Sequence, residues 1–273
     1  MKLVCVDSAF LSRFVLAAAY AALVLAVSIP ASAAAPRVAV WDPQKAVEGG
    51  RFPVSTDYLD RVSQWLRDGG VSVQRLTAEQ VADPASFGAD RFDALMLEGD
   101  AFPEIDIAAY QRFMENGGVL IALSAANPFY NKMAKDSEGL WRLSPESPNF
   151  SWQTDAINKA LGIEFRWVMD MAYSAVRHAP TPLLETYLPQ AKDWTLKKPL
   201  LARWYVATTG TVYPLLRSQQ MAGRDYTPQM YLVANGKNRA IVCAGNKLYT
   251  GEADPKLWPW SRETVVALAR LAK

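Results

Sequence analysis

Five polar residues stand where the ligand-binding site of a parallel β-sheet would place them. They are Asp42, Glu98, Asp100, Ser124 and Asn127. Each lies at, or shortly after, the end of a short apolar segment that predicts a buried strand. In an open parallel sheet, ligands bind outside the carboxyl ends of the strands, at the point where the strand order reverses. Three carboxylates and two neutral hydrogen-bonding groups could hold sugar hydroxyls, a hydrated cation or an amide.

The same residues also allow structural and catalytic interpretations. Aspartates after strands commonly cap loops or helices, which would account for Asp42 and Asp100. A nucleophilic Ser124 would need a base, and His178 is the only histidine in the chain; Asp42 or Asp100 would then orient that base. Two of Glu98, Asp100 and Asp42 could instead act as the acid and base of a glycosidase. None of these arrangements forms a complete catalytic motif, so the sequence favours a protein without enzymatic activity.

Tryptophan is unusually frequent, with nine residues in the chain. Trp141 and Trp152 flank a segment rich in proline and serine, and Trp258 and Trp260 precede the last predicted helix. Exposed indole faces stack on sugar rings, so these side chains could form a carbohydrate platform. Alternatively, they pack loops onto the sheet.

Cysteine content and charge exclude several classes of protein. Cys5 lies near the amino terminus, and Cys243 lies in an apolar run that predicts a buried thiol. If the amino-terminal segment with Cys5 is removed, no disulfide can form within the chain, and one cysteine with one histidine is too few for a zinc site unless carboxylates supply most of its ligands. We therefore expect no metal and no cofactor. The net charge of +2, with no long run of Lys or Arg, argues against a nucleic-acid partner.

The amino-terminal segment has the three parts of a secretory signal peptide. Lys2 and Arg13 give a positive start, residues 14–27 are apolar or small, and an Ala-x-Ala site ends at Ala33. The apolar run is shorter than the ~20 residues of a membrane-spanning helix. Because Cys5 precedes this run, a lipoprotein arrangement is disfavoured. We expect export to the periplasm or the extracellular space, no membrane anchor after cleavage, and a single domain over residues 34–273.

Strands and helices alternate through the first half of the chain. Apolar runs predict strands at residues 37–41, 71–76, 93–98 and 119–123, and periodic apolar residues predict helices at 55–68, from 78 onward and at 105–116. Thr77 and Gln80 have the spacing of a capping box. Strands separated by single helices predict a parallel sheet with right-handed crossovers. The expected fold class is α/β, with a flavodoxin-like, doubly wound and mostly parallel sheet.

The second half of the sequence is less regular. The patterns predict a helix at 152–161, a strand at 162–167, surface loops at 144–151 and 178–182, strands at 211–216, 229–234 and 239–244, and a closing helix at 261–271. Asn235-Gly236 is the hairpin signal between the last two strands. We therefore expect an insertion and an extra C-terminal strand segment within the same domain.

Two consecutive segments resemble a known superfamily. Residues 92–100 read FDALMLEGD, and after a predicted helix residues 113–122 read FMENGGVLIA. This pattern is similar to the class I glutamine amidotransferase-like superfamily, especially its trehalose-utilisation-type and β-galactosidase trimerisation-domain branches. The likeness covers residues 37–127. It implies a flavodoxin-like fold, an association with sugar metabolism and, through the trimerisation domains, assembly into a homo-oligomer.

The sequence departs from active members of that superfamily at the nucleophile. Active members place a cysteine on a sharp turn after a strand, whereas residues 124–128 here read SAANP, without the glycines of such an elbow. The resemblance therefore implies a scaffold that has lost glutaminase chemistry. Three functions stay open: binding of a carbohydrate or other small polar ligand, hydrolysis of a glycan or ester through Ser124 and His178 or the strand-end carboxylates, and a structural role. A crevice filled by protein side chains would favour the last.

Overall fold

The computed structural model describes residues 34–44, 56–99, 101–103, 107–123, 129, 131–144, 156–171, 176–196, 201–220, 225–243 and 260–273. The chain divides into two units, Met1–Ala35 and Pro36–Lys273. The predicted signal peptide lies outside the described residues, and every element below belongs to the second unit. No helix within the described ranges is long and apolar enough to cross a membrane.

The described ranges contain helices and strands in an order that starts as strict β/α alternation. The helices are α1 (Thr56–Asp68), α2 (Ala78–Ala82), α3 (Ile107–Glu115), α4 (Ala156–Ala160), α5 (Pro182–Tyr187) and α6 (Ser261–Ala272). The strands are β1 (Arg37–Trp41), β2 (Ser72–Leu76), β3 (Ala94–Glu98), β4 (Ala101–Pro103), β5 (Val119–Leu123), β6 (Asn131–Lys135), β7 (Trp141–Leu143), β8 (Ile163–Met171), β9 (Val176–Pro180), β10 (Trp194–Leu196), β11 (Leu201–Ala207), β12 (Thr211–Gln220), β13 (Asp225–Asn235) and β14 (Asn238–Cys243).

One large sheet organises the fold. Its nine strands run in the order β10-β9-β12-β13-β14-β5-β3-β1-β2. The strands β14, β5, β3, β1 and β2 pair in parallel, and their spatial order is that of flavodoxin. This confirms the predicted α/β, flavodoxin-like fold class. The remaining strands extend the sheet with antiparallel pairs.

Two groups of helices pack with the parallel strands, as expected when crossovers are right-handed and the strand order reverses across the sheet. Helix α1 packs against α6, and α2 packs against α3, which also contacts β5 and β14. Every residue of β3 and of β5 is buried, as expected for strands with a helix layer on each side. Thr77 forms the predicted capping box with Gln80 at the start of α2.

The Gly-Gly pair after α3 ends that helix and turns the chain into β5. The Gly118 N–H donates to the Phe113 carbonyl at 2.9 Å and the Gly117 N–H to the Met114 carbonyl at 2.8 Å, which is a Schellman motif. Gly117 has a φ of 95°. A Cβ at Gly118 would lie 2.4 Å from the Phe113 ring. Both positions therefore require glycine.

The antiparallel part of the sheet contains the predicted C-terminal strands. Strands β12 and β13 cover and extend the predicted segments at 211–216 and 229–234, and β14 covers the described part, 239–243, of the segment predicted at 239–244. Asn235 pairs with Asn238 across the β13–β14 turn, and Gly236 adopts a φ of 59°. Strands β8 and β11 form a separate antiparallel pair. The closing helix α6 agrees with its prediction.

The prediction of a surface loop at 178–182 is wrong. His178 lies within strand β9, where it pairs with Trp194 of β10 and Ser218 of β12. Its side chain is completely buried. Pro182 begins helix α5. The prolines that indicated a loop instead mark the end of the strand and the first turn of a helix.

A small three-stranded sheet follows the carboxyl edge of the parallel strands. Its order is β4-β6-β7, and no sequence pattern predicted it. Strand β4 begins three residues after β3 ends. Trp141 of β7 donates its indole N–H to the Pro43 carbonyl at 3.1 Å. The small sheet is thus attached close to the ends of both β1 and β3.

Candidate functional site

Two of the five predicted site residues belong to the described part of the chain. Asp42 follows β1, and Glu98 is the last residue of β3. Asp100, Ser124 and Asn127 lie outside the described residues, so their side chains remain predictions. The site is therefore built here from Asp42, Glu98 and their neighbours.

The strand order reverses between β1 and β3, because β2 lies beyond β1 whereas β3, β5 and β14 extend the other way. The β1–β3 pairing ends at Val40 and Met96, and Asp42 and Glu98 each follow that last pair by two residues. Neighbouring strands lie about 4.8 Å apart. The two carboxylates that the sequence predicted therefore flank the topological switch point, which is where ligands bind in folds of this class.

Both carboxylate oxygens of Asp42 have partners. Oδ1 accepts the Gln44 backbone N–H at 2.8 Å, and Oδ2 lies 2.9 Å from Nε of Arg75. The Asp42 backbone N–H donates to the Leu76 carbonyl at 2.8 Å. Asp42 thus closes the turn after β1, as the structural interpretation expected, and its side chain still keeps 21% exposure.

Arg75 connects this carboxylate to helix α1. Its NH1 contacts Oδ1 of Asp60, so one guanidinium joins two acids. Burial opposes its charge, but the hydrogen bonds and charges of Asp42 and Asp60 outweigh burial and raise the pKa of Arg75. Because Asp60 belongs to α1, the side chains of Arg75 and Asp42 face the α1 layer. Sequence analysis missed Arg75, since its role depends on strand register and helix position.

Glu98 is a carboxylate at the buried centre of the carboxyl edge. Glu98 is 2% exposed, and its backbone pairs with that of Leu123 at the end of β5. The next residue, Gly99, has a φ of 71° and donates its N–H to the Leu123 carbonyl at 2.6 Å. Removing a carboxylate from water is costly unless other groups compensate. A buried carboxylate at the switch point is therefore a functional-site candidate.

Cys243 lies at the same carboxyl edge of the sheet as Glu98. Leu123 pairs with Cys243 of β14, which places the thiol two strands from Glu98 along the same edge. Cys243 is completely buried, as predicted from its apolar run. The register brings Cys243 to this edge although it lies far along the chain from Glu98.

The end of β1 is covered on the other side by β6 and β7. The indole rings of Trp41 and Trp141 meet edge-on, with centroids 5.7 Å apart, and Trp141 is 2% exposed. Lys135 of β6 lies over the Trp141 ring and pairs with Glu79 of α2. Trp141 is therefore a packing residue of this region, as the alternative to a carbohydrate platform proposed. Trp152 and Trp258 lie outside the described residues.

His178 lies in a different part of the sheet. From β5, the strands β14, β13, β12 and β9 follow in order, so β9 is four strand spacings, about 19 Å, from the strand that precedes Ser124. The imidazole stacks on the Trp194 indole with centroids 4.5 Å apart. Burial lowers the pKa of His178 to about 4. These features are those of a neutral packing residue and disfavour its pairing with Ser124.

The described site is rich in acceptors. Asp42, Glu98 and Asp60 contribute three carboxyl groups, and Arg75 contributes one guanidinium. Such a set favours ligands that donate hydrogen bonds and disfavours anions. Within the described ranges, no group of three or more His, Cys, Asp or Glu side chains is placed to hold a metal ion.

No protein family model matches this sequence. No curated protein matches it either. Solved structures resemble its fold. A cytoplasmic protein from Salmonella typhimurium LT2 superposes with a TM-score of 0.53 and 12% identity, over 87% of this chain and 99% of its own. At that identity the similarity establishes the fold alone.

Structural neighbours also include a glutamine amidotransferase and a glycosidase. The amidotransferase, from Methylobacillus flagellatus, has a TM-score of 0.40 and 13% identity, over 88% of this chain and 94% of its own. The glycosidase is an exo-β-1,4-mannosidase from Opitutaceae bacterium strain TAV5, with a TM-score of 0.45 and 13% identity, over 87% of this chain and 35% of its own. This chain thus spans about a third of the mannosidase's length.

Proposed function

We propose that this chain is an exported, non-enzymatic binding domain that takes a small polar ligand, a neutral carbohydrate, at the switch point between β1 and β3. The observation that carries the proposal is Glu98, a carboxylate only 2% exposed at the end of the central strand β3. Asp42 follows the adjacent strand β1, and its carboxylate contacts Arg75. A buried acid beside an oriented acid at the switch point is an arrangement for accepting hydrogen bonds from a ligand.

The ligand class follows from the balance of donors and acceptors. Hydroxyl groups of a neutral sugar can donate to Asp42 and Glu98, whereas a phosphate or a uronic acid would meet like charges. Aspartate and glutamate accept two hydrogen bonds or more each when ionised. A neutral sugar thus satisfies the site without introducing another negative charge.

The absence of catalysis in the proposal follows from the sequence and from the position of His178. Residues 124–128 lack the glycines and the cysteine of a nucleophile elbow. His178, the only histidine in the chain, lies on β9 and is buried against Trp194. Neither a glutaminase nor a serine hydrolase is supported by these groups.

Export is a separate part of the proposal and rests on the amino-terminal sequence. A positive start, an apolar run and an Ala-x-Ala site at Ala33 are the features of a cleaved signal peptide. Amino-terminal sequencing of the protein from its host should therefore begin close to Ala34. A protein that retains Met1 to Ala33 would contradict this part.

A structural role is the second candidate function, and one observation favours it. Trp141 packs edge-on against Trp41 and hydrogen-bonds the Pro43 carbonyl, so part of the carboxyl edge is filled by the protein itself. A domain whose crevice is filled would serve as a scaffold or an assembly surface. This candidate predicts no response to small molecules.

A thermal-shift screen distinguishes the two candidates. The purified protein is heated with glucose, galactose, mannose or maltose, and in parallel with glucuronate, galacturonate or glucose 6-phosphate. A ligand present at about 100 times its Kd stabilises the fold by about 2.7 kcal/mol. The proposal predicts a rise in Tm with a neutral sugar and none with its anionic counterpart. No response from folded protein, or a preference for the anions, would overturn it.

A further inference from the structure

Arg75 contacts the Asp42 carboxylate of the switch-point site and also Asp60. It lies on β2, outside the pair of strands that flanks the switch point. We propose that Arg75 is a positioning residue, which holds the Asp42 carboxylate in the orientation that meets the ligand. This inference rests on the proposed function and assigns a role to a residue next to its site.

The geometry fixes Asp42 from two directions. The Gln44 N–H holds Oδ1 at 2.8 Å, and Arg75 Nε lies 2.9 Å from Oδ2. Without the second contact, the carboxylate could rotate about its Cβ–Cγ bond, since that terminal torsion has a broad energy profile. The two contacts together leave one orientation.

Arg75 is itself anchored at its far end. Its NH1 contacts Asp60 on α1, so the guanidinium plane is tied to the helix that crosses from β1 to β2. Arg75 is 24% exposed and Asp60 66% exposed. The contact with Asp42 is therefore the more enclosed of the two, and the attraction within an ion pair strengthens as water is excluded.

Charge gives Arg75 a second reason to lie here. Asp42 and Glu98 lie at the carboxyl ends of the adjacent strands β1 and β3, where nearby carboxylates repel each other. The guanidinium beside Asp42 offsets that repulsion. Lysine would keep the charge but lose the planar fork that reaches both acids.

The test is a double-mutant cycle on sugar binding, with the neutral sugars of the screen as probes. Arg75→Gln should weaken the affinity about fivefold, because Asp42 loses the partly exposed ion pair that orients its carboxylate. Arg75→Lys should retain part of the affinity. In the Asp42→Ala background, Arg75→Gln should cause no further loss, because Arg75 acts through Asp42. Circular dichroism confirms that each variant is folded.

A matched control removes an Arg–Asp pair elsewhere. Arg177 donates to Asp193 at 2.9 Å in the antiparallel half, and Arg177→Gln should leave sugar affinity unchanged. The proposal is overturned if Arg75→Gln binds like the wild type. It is equally overturned if Arg75→Gln reduces the sugar affinity by the same factor in the Asp42→Ala background, since Arg75 would then act on the protein structure in general.

A ligand-independent measurement separates this inference from the proposed function. If no sugar binds the wild-type protein, the proposed function fails, and the Arg75 Nε–H resonance in an NMR spectrum decides the inference. A resonance that shifts on Asp42→Ala, and not on Arg177→Gln, supports the positioning contact. A resonance unchanged by Asp42→Ala would overturn it.

Discussion

The parallel and antiparallel halves of the sheet place their titratable groups differently. In the parallel half, Asp42 and Glu98 stand at the carboxyl ends of strands, beside the switch point. In the antiparallel half, His178 lies inside β9, stacked on an indole and completely buried. The proposed binding groups therefore lie at strand ends, whereas the buried histidine lies within a strand.

The largest expected effect concerns stability and compares a fully buried side chain of the parallel half with a partly buried one of the antiparallel half. Ile121 lies at the centre of β5 and is completely buried, whereas Leu232 of β13 is partly buried. Ile121→Ala should lower the free energy of unfolding by about 2–5 kcal/mol. Leu232→Ala should cost less, because part of its side chain already contacts water. Urea denaturation measures both, and equal losses would contradict this contrast.

The next effect concerns the acid sensitivity of the antiparallel half. In the unfolded chain a histidine binds a proton near pH 6.5, but burial lowers the pKa of His178 in the folded state to about 4. The unfolded state thus binds more protons between these values, so stability falls as the pH drops from 6.5 to 4. The loss from this residue should approach about 3 kcal/mol by pH 4.

The contribution of His178 is isolated by comparison with His178→Phe. Phenylalanine keeps an aromatic ring beside Trp194 but cannot titrate. The difference in unfolding free energy between the two proteins, measured in urea at pH 7, 5.5 and 4, should move in favour of the variant as the pH falls. A difference that stays constant with pH would show that His178 does not cause the expected loss of stability in acid.

The contrast between the halves also explains which elements were predictable. Strands β3 and β5 are buried along their whole length, and that produces unbroken apolar runs in the sequence. Helix α1 has buried residues at helical spacing, including Tyr58, Leu59 and Val62. Local chemistry also marks the capping box at Thr77. In the parallel half, pattern and structure therefore agree.

Strand β9 could not be predicted in this way. Its sequence Val176–Pro180 ends in proline and contains a charged residue and a histidine, which is typical of a loop. Its strand conformation comes from pairing with β12 and β10, and strand propensity is weak against such tertiary context. The same holds for the short strands β4 and β7, which have three residues each.

The candidate site was predictable in part. The rule that ligands bind at strand ends identifies Asp42 and Glu98 without a motif, and the structure places them after the ends of the paired strands β1 and β3. Arg75 could not be identified, because its contacts with Asp42 and Asp60 depend on how β2 and α1 pack. The position of Trp141 over the end of β1 could not be predicted either, because it lies in a small sheet that no sequence pattern indicates.

The most direct test of the central claim compares two glutamates. Glu98 is buried at the end of β3, and Glu185 is exposed on α5. Glu98→Gln keeps the shape of the side chain but removes its charge. The account predicts that this variant folds and loses the rise in Tm caused by a neutral sugar, whereas Glu185→Gln keeps it. A Glu98→Gln protein that responds to the sugar like the wild type would contradict the placement of the site at the switch point.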